Sequence, residues 1–203
     1  MKHYIAVSGN MGSGKTSLVD FLSKRYPLRA VFEPNATNPY LNDFYKDMSR
    51  WAFQSQIYFL TAKFRLHREL EAYDGSVIQD RTIYEDAEIF ALNLRRGRCI
   101  AKRDFETYWE LYETISKDLK PPDVMIYLRC SVGALRKRIR QRGRTSEAAV
   151  PVSYLRRLHR LYEDWIQRYE LSPVIEIPTD RVDYVTDLVD RLDLLRKIER
   201  YLE

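Results

Sequence analysis

The sequence predicts an α/β fold of the P-loop type, with a five-stranded, mostly parallel sheet and helices on both faces. Short apolar runs alternate with longer amphipathic runs along the 203 residues, which is typical of a parallel sheet with helical crossovers. The strand-like runs are almost continuously apolar, as in strands that are buried on both faces. Glycine, lysine and threonine cluster between the first strand-like run and the first helix-like run.

Five runs have the length and the apolar content of strands. In chain order they are Tyr4 to Ser8, Ala30 to Glu33, Ser76 to Asp80, Val124 to Arg129 and Pro173 to Ile177. In a parallel sheet the chemistry collects at the edge where the strands end. The residues that follow each run are therefore the first candidates for function.

Helical periodicity marks the segments between the strands. The first helix is expected from Ser17 to Tyr26 and a long one over 51–70, WAFQSQIYFLTAKFRLHREL. A later helix should run from Ser131 to about Arg142, with three residues facing the core: Val132, Leu135 and Ile139. Repeats and low-complexity linkers are absent from the sequence, so one domain over 1–203 is predicted.

The stretch GNMGSGKTSL fits the pattern G-x-x-x-x-G-K-[ST] and stands between a strand and a helix, as a phosphate-binding loop must. Its glycines let backbone N–H groups turn towards phosphate oxygens, Lys15 adds a charge, and Thr16 can hold Mg²⁺. A glycine-rich turn that happens to contain lysine is the weaker reading. The predicted ATP-binding residues of this loop are Gly9, Asn10, Met11, Gly12, Ser13, Gly14, Lys15, Thr16 and Ser17.

The cysteine content and the length of the apolar stretches indicate the cellular compartment and whether the protein binds membranes. The two cysteines cannot form a disulfide framework, and no Cys/His spacing resembles a zinc site, which favours a reducing compartment. The apolar run at the N-terminus is too short for a signal peptide, and no stretch reaches the length of a membrane span. A cytoplasmic protein that does not bind membranes is therefore expected.

Much of the net charge of +5 lies in one basic run, RKRIRQRGR, from Arg136 to Arg144. We expect its arginines, above all Arg138, Arg142 and Arg144, to form a lid over ATP at about 138–148. A solvated basic helix face or a nucleic-acid patch is the alternative. Aromatic residues do not interleave with these arginines, which argues against single-strand binding.

Two strand ends carry the groups that phosphoryl transfer to a hydroxyl needs. Glu33 ends the second predicted strand and can take a proton from the attacking hydroxyl; a plain surface glutamate is the alternative. Asp80 ends the third strand and suits a metal-neighbouring acid, with Arg81 beside it to neutralise phosphoryl charge. The alternative for Asp80 is a helix N-cap. No asparagine precedes a lysine, so the guanine-reading segment of GTPases is missing.

Several segments in this order resemble the deoxynucleoside kinases, most closely their bacterial deoxyadenosine kinase branch. They are GNMGSGKT, FEPN, NPYLNDFYKD, WAFQSQIYFL, QDRTIYEDAEIFA, DVMIYLR, RIRQRGR and VPVSYLRRLHRLYEDW. The resemblance covers essentially the whole chain. It implies transfer of the γ-phosphate of ATP, with Mg²⁺, to the 5′-hydroxyl of a deoxyribonucleoside in nucleotide salvage, and a homodimer formed through two helices.

The resemblance also assigns roles to individual residues. Glu33 matches the base that acts on the 5′-hydroxyl, and Arg81 matches the arginine beside it. Tyr45 matches a tyrosine that binds the 3′-hydroxyl, with Glu147 as its carboxylate partner. Gln54 matches the glutamine that reads the edge of the nucleobase.

The expected base preference depends on a further position. Relatives have a base-contacting residue where Asp86 stands, and an ionised carboxylate there favours a base with an amino group and penalises thymine. Without the resemblance, the preferred interpretation of Asp86 is an exposed acid in the first turn of a helix, stabilised by the helix dipole. Gln54 alone does not choose, because its amide can flip to match any base. Some relatives have an arginine seven positions after this glutamine, where the chain has Thr61. Deoxyadenosine is expected first, deoxycytidine and deoxyguanosine behind it, and thymidine last.

Two other classes of function compete with a nucleoside kinase. A nucleoside-monophosphate kinase such as thymidylate kinase shares the phosphate-binding loop and the arginine lid but has no need for a base such as Glu33. A nucleotide-sensing module without catalysis would not need Lys15, Glu33 and Arg81 together. The presence of all three residues favours the nucleoside kinase.

Overall fold

The computed structural model describes residues 2–33, 37–144, 150–180 and 188–199. Its sheet has five parallel strands in the order β2-β3-β1-β4-β5. The strands are β1 (Tyr4–Ser8), β2 (Leu28–Val31), β3 (Ser76–Asp80), β4 (Val124–Arg129) and β5 (Val174–Pro178). The predicted fold class is confirmed.

Helices cover both faces of this sheet. They are α1 (Lys15–Arg25), α2 (Leu41–Lys46), α3 (Met48–Glu71), α4 (Ile83–Glu85), α5 (Leu92–Arg96), α6 (Lys102–Ser116), α7 (Val132–Arg142), α8 (Val152–Gln167) and α9 (Leu188–Ile198). A π-helical segment, Asp86–Ala91, joins α4 to α5. Within the described ranges, none of the helices has the length and apolar content to cross a bilayer.

The strands are apolar at nearly every position because each face of the sheet carries a hydrophobic layer. On β1, Ile5 and Val7 belong to a cluster that includes side chains of α1 and α9. Ala6, between them, belongs to a larger cluster with side chains of α3, α6 and α8. Successive side chains of a strand point to opposite faces, so a strand between two helical layers must be apolar throughout.

Two predicted strands differ in position from the observed ones. β2 pairs with β3 over Leu28–Val31, two residues earlier than predicted, and the next residue, Phe32, is already 46% exposed. Glu33 therefore lies in the connection after β2, because the pairing with β3 ends before it. β5 is shifted by one residue, to Val174–Pro178.

The helix of the basic run agrees with its prediction. α7 spans Val132–Arg142, buries Leu135 and Ile139, and ends at Gly143 with a left-handed φ of 65°. The long helix predicted over 51–70 lies within α3, which extends slightly beyond it at both ends. The first helix begins two residues earlier than predicted, at Lys15, directly after the glycine-rich loop.

Candidate active site

The carboxyl ends of β1 and β3 and the connection after β2 open onto one cavity, which α2, α3 and the π-helical segment complete. Its lining residues are Met11, Gly12, Lys15, Thr16, Glu33, Leu41, Phe44, Tyr45, Gln56, Phe59, Asp80, Arg81, Asp86, Phe90, Arg142, Arg144 and Tyr154. The fold thus brings together the residues predicted at the strand ends. Thr16, Glu33 and the adjacent pair Asp80 and Arg81 come from three separate parts of the chain.

The loop between β1 and α1 is tightly turned. Gly9 has a φ of 145°, and a Cβ at this position would lie 2.9 Å from a carbonyl oxygen of β4, so a side chain does not fit. The Ser13 N–H donates to the Asn10 carbonyl at 3.1 Å, and Lys15 Nζ donates to the same oxygen at 3.1 Å. Burial, with the nearby Arg81 guanidinium, lowers the pKa of Lys15 to about 8. A phosphate beside Lys15 would raise this pKa again, because it favours the protonated form.

Some predicted loop residues do not line the cavity. Asn10 is buried behind the loop and donates from Nδ2 to the Leu155 carbonyl of α8 at 3.3 Å. Ser13 is buried as well. Ser17 is exposed and borders a different surface depression beside Lys24. These residues shape or flank the loop, whereas Met11, Gly12, Lys15 and Thr16 face the cavity.

Thr16 and Asp80 join the start of α1 to the end of β3. Thr16 Oγ1 donates to Asp80 Oδ2 at 2.6 Å. Asp80 is buried, and its Oδ1 has no hydrogen-bond partner within the described residues. A buried carboxylate oxygen beside a hydroxyl suits Mg²⁺, which binds few protein oxygens and keeps waters and substrate phosphates as its other ligands. The two residues therefore fit the predicted metal role.

Arg81 and Glu33 form a buried ion pair in the cavity. Arg81 Nη1 lies 2.5 Å from Glu33 Oε1, and the side chains are 6% and 12% exposed. Burial disfavours the charge on Arg81, but Glu33 and neighbouring acids raise the pKa of Arg81 well above its ordinary value. Arg81 also has a φ of 63°, which is uncommon outside glycine. A backbone conformation of this kind persists only where the surroundings hold it, often at functional sites.

A second buried ion pair joins α3 to the π-helical segment. Lys63 Nζ lies 3.0 Å from each oxygen of Asp86, and the side chains are 1% and 4% exposed. Lys63 Nζ also donates to the Thr82 carbonyl at 3.3 Å and lies 3.9 Å from Glu33 Oε1. Burial raises the pKa of Asp86 to about 6, although Lys63 opposes this shift. Asp86 lies in the cavity wall, as its predicted role requires, whereas Lys63 was missed from the sequence.

Gln54, which was predicted to read the base, does not line the cavity, whereas Gln56 does. Gln54 lines a separate groove on the outer side of α3 with Ile57 and Tyr58. Two residues along a helix is a rotation of about 200°, so Gln56 lies on the opposite side. Gln56 is buried in the cavity wall, and its Oε1 has no hydrogen-bond partner among the described residues.

With Gln56 in the cavity wall, the position to compare with the arginine of some relatives is no longer Thr61. The position seven residues after Gln56 is Lys63, which is a buried cation like the arginine expected in some relatives. Seven residues are about two turns, so Gln56 and Lys63 lie on the same face of α3. The spacing of these two polar residues, which places them with apolar residues such as Phe59 and Leu60 on the buried face of α3, was the available signal.

The predicted lid residues divide into two groups. Arg142 and Arg144 line the cavity. Arg138 instead donates to the Ser13 carbonyl at 3.2 Å and to the Thr179 carbonyl, and so ties α7 to the phosphate-binding loop and to the end of β5. Its contact with ATP stays a prediction. Glu147 lies outside the described residues.

Two aromatic residues complete the wall near the ion pairs. Tyr45, on α2, lines the cavity as its predicted role requires, with its ring centroid 5.1 Å from that of Phe44. Phe90 lies in the π-helical segment, and its ring centroid is 4.4 Å from the Arg81 guanidinium carbon. π-Helical turns are frequently found at functional sites, and nothing in the sequence pattern distinguished this one from an α-helix.

The sheet and its glycine-rich loop define a P-loop nucleotide-binding protein with the groups of a phosphotransferase at its strand ends. A family model described as deoxynucleoside kinase matches residues 5–203. The chain therefore belongs to the deoxynucleoside kinase family, which confirms the resemblance found in the sequence, and it is a deoxynucleoside kinase.

Similar proteins bear different substrate names. The chain is 37% identical over 185 residues to the deoxyadenosine/deoxycytidine kinase of Bacillus subtilis, which covers 90% of this chain and 85% of that one. It is 34% identical over 203 residues to a deoxyguanosine kinase of Lactobacillus johnsonii, and this match covers 96% of this chain and 90% of that one. Its structure resembles that of the deoxyadenosine kinase from M. mycoides with bound dATP, with a TM-score of 0.85 and 28% sequence identity. The superposition covers 97% of this chain and 99% of that one.

Replacing Lys63 by methionine should destabilise the fold in a pH-dependent way. At pH 8 we expect a loss of about 3 kcal/mol, because the change leaves the buried Asp86 carboxylate without its cation. At pH 5 the loss should be smaller, since Asp86, whose pKa is already raised to about 6, is then protonated in the folded variant. Urea unfolding of wild type and variant at both pH values measures this difference.

Lys24→Met provides the matched control, because Lys24 pairs with Asp20 on the surface at 74% and 51% exposure. That pair should contribute less than about 0.5 kcal/mol at either pH. An equal loss for Lys63→Met at pH 5 and pH 8 would mean that the charge of Asp86 is not what Lys63 compensates.

Proposed function

We propose that the chain transfers the γ-phosphoryl group of ATP to the 5′-hydroxyl of a deoxyribonucleoside, with deoxyadenosine preferred. The observation that carries the reaction is the 2.5 Å pair of Glu33 and Arg81 in one cavity with Lys15 of the phosphate-binding loop. An acid beside this loop suits an acceptor that must lose a proton, which separates a nucleoside kinase from a monophosphate kinase or a sensor.

The proposed reaction uses the chain's own groups in three roles. Glu33 accepts the proton of the 5′-hydroxyl, while Arg81 holds the Glu33 carboxylate and offsets charge on the transferring phosphoryl group. Lys15 and the backbone of the loop hold the phosphates of ATP. Thr16 and Asp80 would hold Mg²⁺, which neutralises phosphate charge when bound. Arg142 and Arg144 close over the phosphates, while Arg138 anchors the base of this lid to the phosphate-binding loop.

The proposed base site combines Gln56 with Asp86. The Gln56 amide can both donate to and accept from one edge of adenine. Asp86 Oδ2 lies 3.0 Å from Lys63 Nζ, but a carboxylate oxygen has more than one acceptor site, so it can also accept from the adenine amino group. Thymine would turn a carbonyl oxygen towards this carboxylate, at the cost of repulsion between buried acceptors. Similarity to a deoxyadenosine/deoxycytidine kinase supports deoxyadenosine as a substrate, while the order of preference depends on Gln56 and Asp86.

Deoxycytidine and deoxyguanosine are the alternative main substrates. Cytosine presents an amino group much as adenine does, and guanine offers ring and amino N–H groups to a carboxylate. The similarity to a deoxyadenosine/deoxycytidine kinase and to a deoxyguanosine kinase supports testing both.

Other expectations extend the proposal beyond the base and the phosphates. Tyr45 would bind the 3′-hydroxyl together with Glu147. The chain would act as one kinase domain over 1–203, as a cytoplasmic homodimer in nucleotide salvage, without nucleic acid as a partner. Family membership supports these statements, and Cys99 and Cys130 are free thiols, as a reducing compartment allows.

Glu33→Gln should lower kcat by about 100-fold or more, since positioned acid–base catalysis typically contributes that much. Deoxyadenosine binding, measured by calorimetry, should change little because the amide keeps the shape of the side chain. Glu69→Gln is the control, because Glu69 is an exposed acid on α3 away from the cavity. A Glu33→Gln enzyme with nearly wild-type kcat would remove this residue from the mechanism.

Gln56→Leu should reduce kcat/KM for deoxyadenosine by about 10-fold to 100-fold, because the base edge loses its hydrogen bonds in a buried site. Gln54→Leu is the matched control on the other side of the same helix, and it should change kcat/KM by less than about twofold. The opposite pattern would contradict the base site proposed here and return the role to Gln54.

Discrimination against thymidine should depend on pH. Asp86 has a pKa raised to about 6 by burial, so it is mostly ionised at pH 7.5 and mostly protonated at pH 5.5. Once protonated it can donate to the thymine carbonyl, and the kcat/KM ratio of deoxyadenosine to thymidine should fall by about fivefold or more at the lower pH. Other titrations that affect both substrates equally cancel in this ratio.

Asp86→Asn tests the assignment of that pH effect. The amide does not titrate, so the ratio should be nearly the same at pH 5.5 and pH 7.5. A ratio that changes with pH as much in Asp86→Asn as in wild type would assign the effect to another group.

A further inference from the structure

Glu85 is a fully buried carboxylate that the proposed reaction does not use. It is the last residue of α4, with 0% exposure. Its Oε1 accepts hydrogen bonds from the Tyr162 hydroxyl at 3.0 Å and from the Gly9 N–H at 3.4 Å. Its Oε2 accepts from the Thr82 N–H at 3.1 Å. One side chain thus joins α8, the first residue of the phosphate-binding loop and the turn after β3.

Arg81 lies between Glu85 and the cavity. Its Nε is 3.8 Å from Glu85 Oε1, while its Nη1 is 2.5 Å from Glu33 Oε1. Its Nη2 donates to the Gly9 carbonyl at 3.5 Å. Glu33 and Arg81 line the cavity and Glu85 does not. Glu85 therefore has no direct access to a substrate and can act only through its neighbours.

The proposed proton transfer neutralises Glu33 and so removes a negative charge beside Arg81, which Glu85 can replace. When Glu33 accepts the proton of the hydroxyl, it loses the negative charge that balances Arg81. A guanidinium that is buried without a nearby carboxylate is strongly disfavoured. Glu85 keeps a negative charge beside Arg81 throughout the reaction, on the side away from the substrate. Arg81 can then release Glu33 without becoming an unpaired buried charge.

Helix capping alone does not explain a charged residue at this position. The bond from the Thr82 N–H to Glu85 Oε2 is the acidic half of a capping box, and glutamine serves equally well there. Burying a carboxylate a few ångströms behind a phosphate-binding loop works against the binding of an anion. The charge of Glu85 acts on the two cations beside it: it helps to raise the pKa of Lys15 and of Arg81, and Arg81 is the one it approaches directly, at 3.8 Å.

We propose that Glu85 is a positioning residue for phosphoryl transfer, which holds Arg81 and balances its charge while Glu33 acts as the base. This inference depends on the role of Glu33 under the proposed function. Tyr162 and the Gly9 N–H fix the Glu85 carboxylate, so that Arg81, Glu33 and the start of the loop keep one geometry.

A double-mutant cycle with Glu33 tests the proposal on the full-length protein. Glu85→Gln should lower kcat by about 10-fold in the wild-type background, while KM for deoxyadenosine and for ATP changes by less than about threefold. In the Glu33→Gln background the same change should alter kcat by less than about twofold, because Glu33 no longer accepts a proton. A purely structural loss would lower kcat by the same factor in both backgrounds, and that result would overturn the proposal.

Glu88→Gln is the matched control, since Glu88 lies about one turn further along and lines a separate depression, where it accepts a hydrogen bond from Tyr112 and pairs with Arg168. It should leave kcat unchanged in both backgrounds. If Glu85→Gln does not fold, Tyr162→Phe replaces it, because it frees Glu85 Oε1 from one hydrogen bond and keeps the charge. We expect about a threefold loss of kcat that disappears in the Glu33→Gln background; an unchanged kcat or an equal loss in both backgrounds would overturn the proposal.

Failure of the proposed function would look different. A Glu33→Gln enzyme that keeps the wild-type kcat would remove Glu33 as the base, whatever Glu85 does. If Glu33→Gln loses activity as expected and Glu85→Gln leaves kcat unchanged in the wild-type background, the role of Glu33 stands and that of Glu85 is wrong.

Discussion

The cation at Arg81 must be balanced inside the protein, and much of the site is arranged around that requirement. A guanidinium removed from water is tolerated only beside carboxylates that are well placed to receive it. Arg81 has Glu33 at 2.5 Å on the cavity side and Glu85 at 3.8 Å behind it. The pairing also gives a reason for the left-handed backbone at Arg81, with its φ of 63°, directly after β3. The turn directs the side chain back along the strand end towards both acids.

The order of the strands makes this pairing possible. β2 lies beside β3 and β1 lies on the other side of β3, so the connection after β2, the end of β3 and the phosphate-binding loop meet at one edge. Glu33 and Arg81 are 48 positions apart in the chain and become neighbours because parallel strands end together. The same adjacency brings the Asp80 carboxylate to 2.6 Å from the Thr16 hydroxyl.

Residues predicted to line the cavity because they follow a strand do line it, whereas a residue predicted from its place on a helix does not. Side chains that follow parallel strands gather at one edge of the sheet, and this rule placed Glu33 and Arg81 in the cavity. It did so even though β2 begins two residues before its predicted position. Recognising the segment WAFQSQ fixed the helix but not its rotation, and Gln54 was chosen where Gln56 faces the cavity. Lys63 was missed because a lysine within a helix is by default a surface residue.

The short spacing between the two ion pairs couples the proposed base site to the proposed catalytic base. Lys63 lies 3.0 Å from Asp86 and 3.9 Å from Glu33, so one buried ammonium is shared between the carboxylate proposed to face the base and the carboxylate proposed to accept the proton. If Asp86 lost its charge, Glu33 would be the remaining carboxylate beside Lys63, and Lys63 would compete with Arg81 for it. An additional cation at Glu33 lowers its proton affinity and therefore makes it a weaker base. A change of base preference at Asp86 thus alters the rate unless position 63 changes with it, because neither charge can be removed from this buried pair without leaving the other unbalanced.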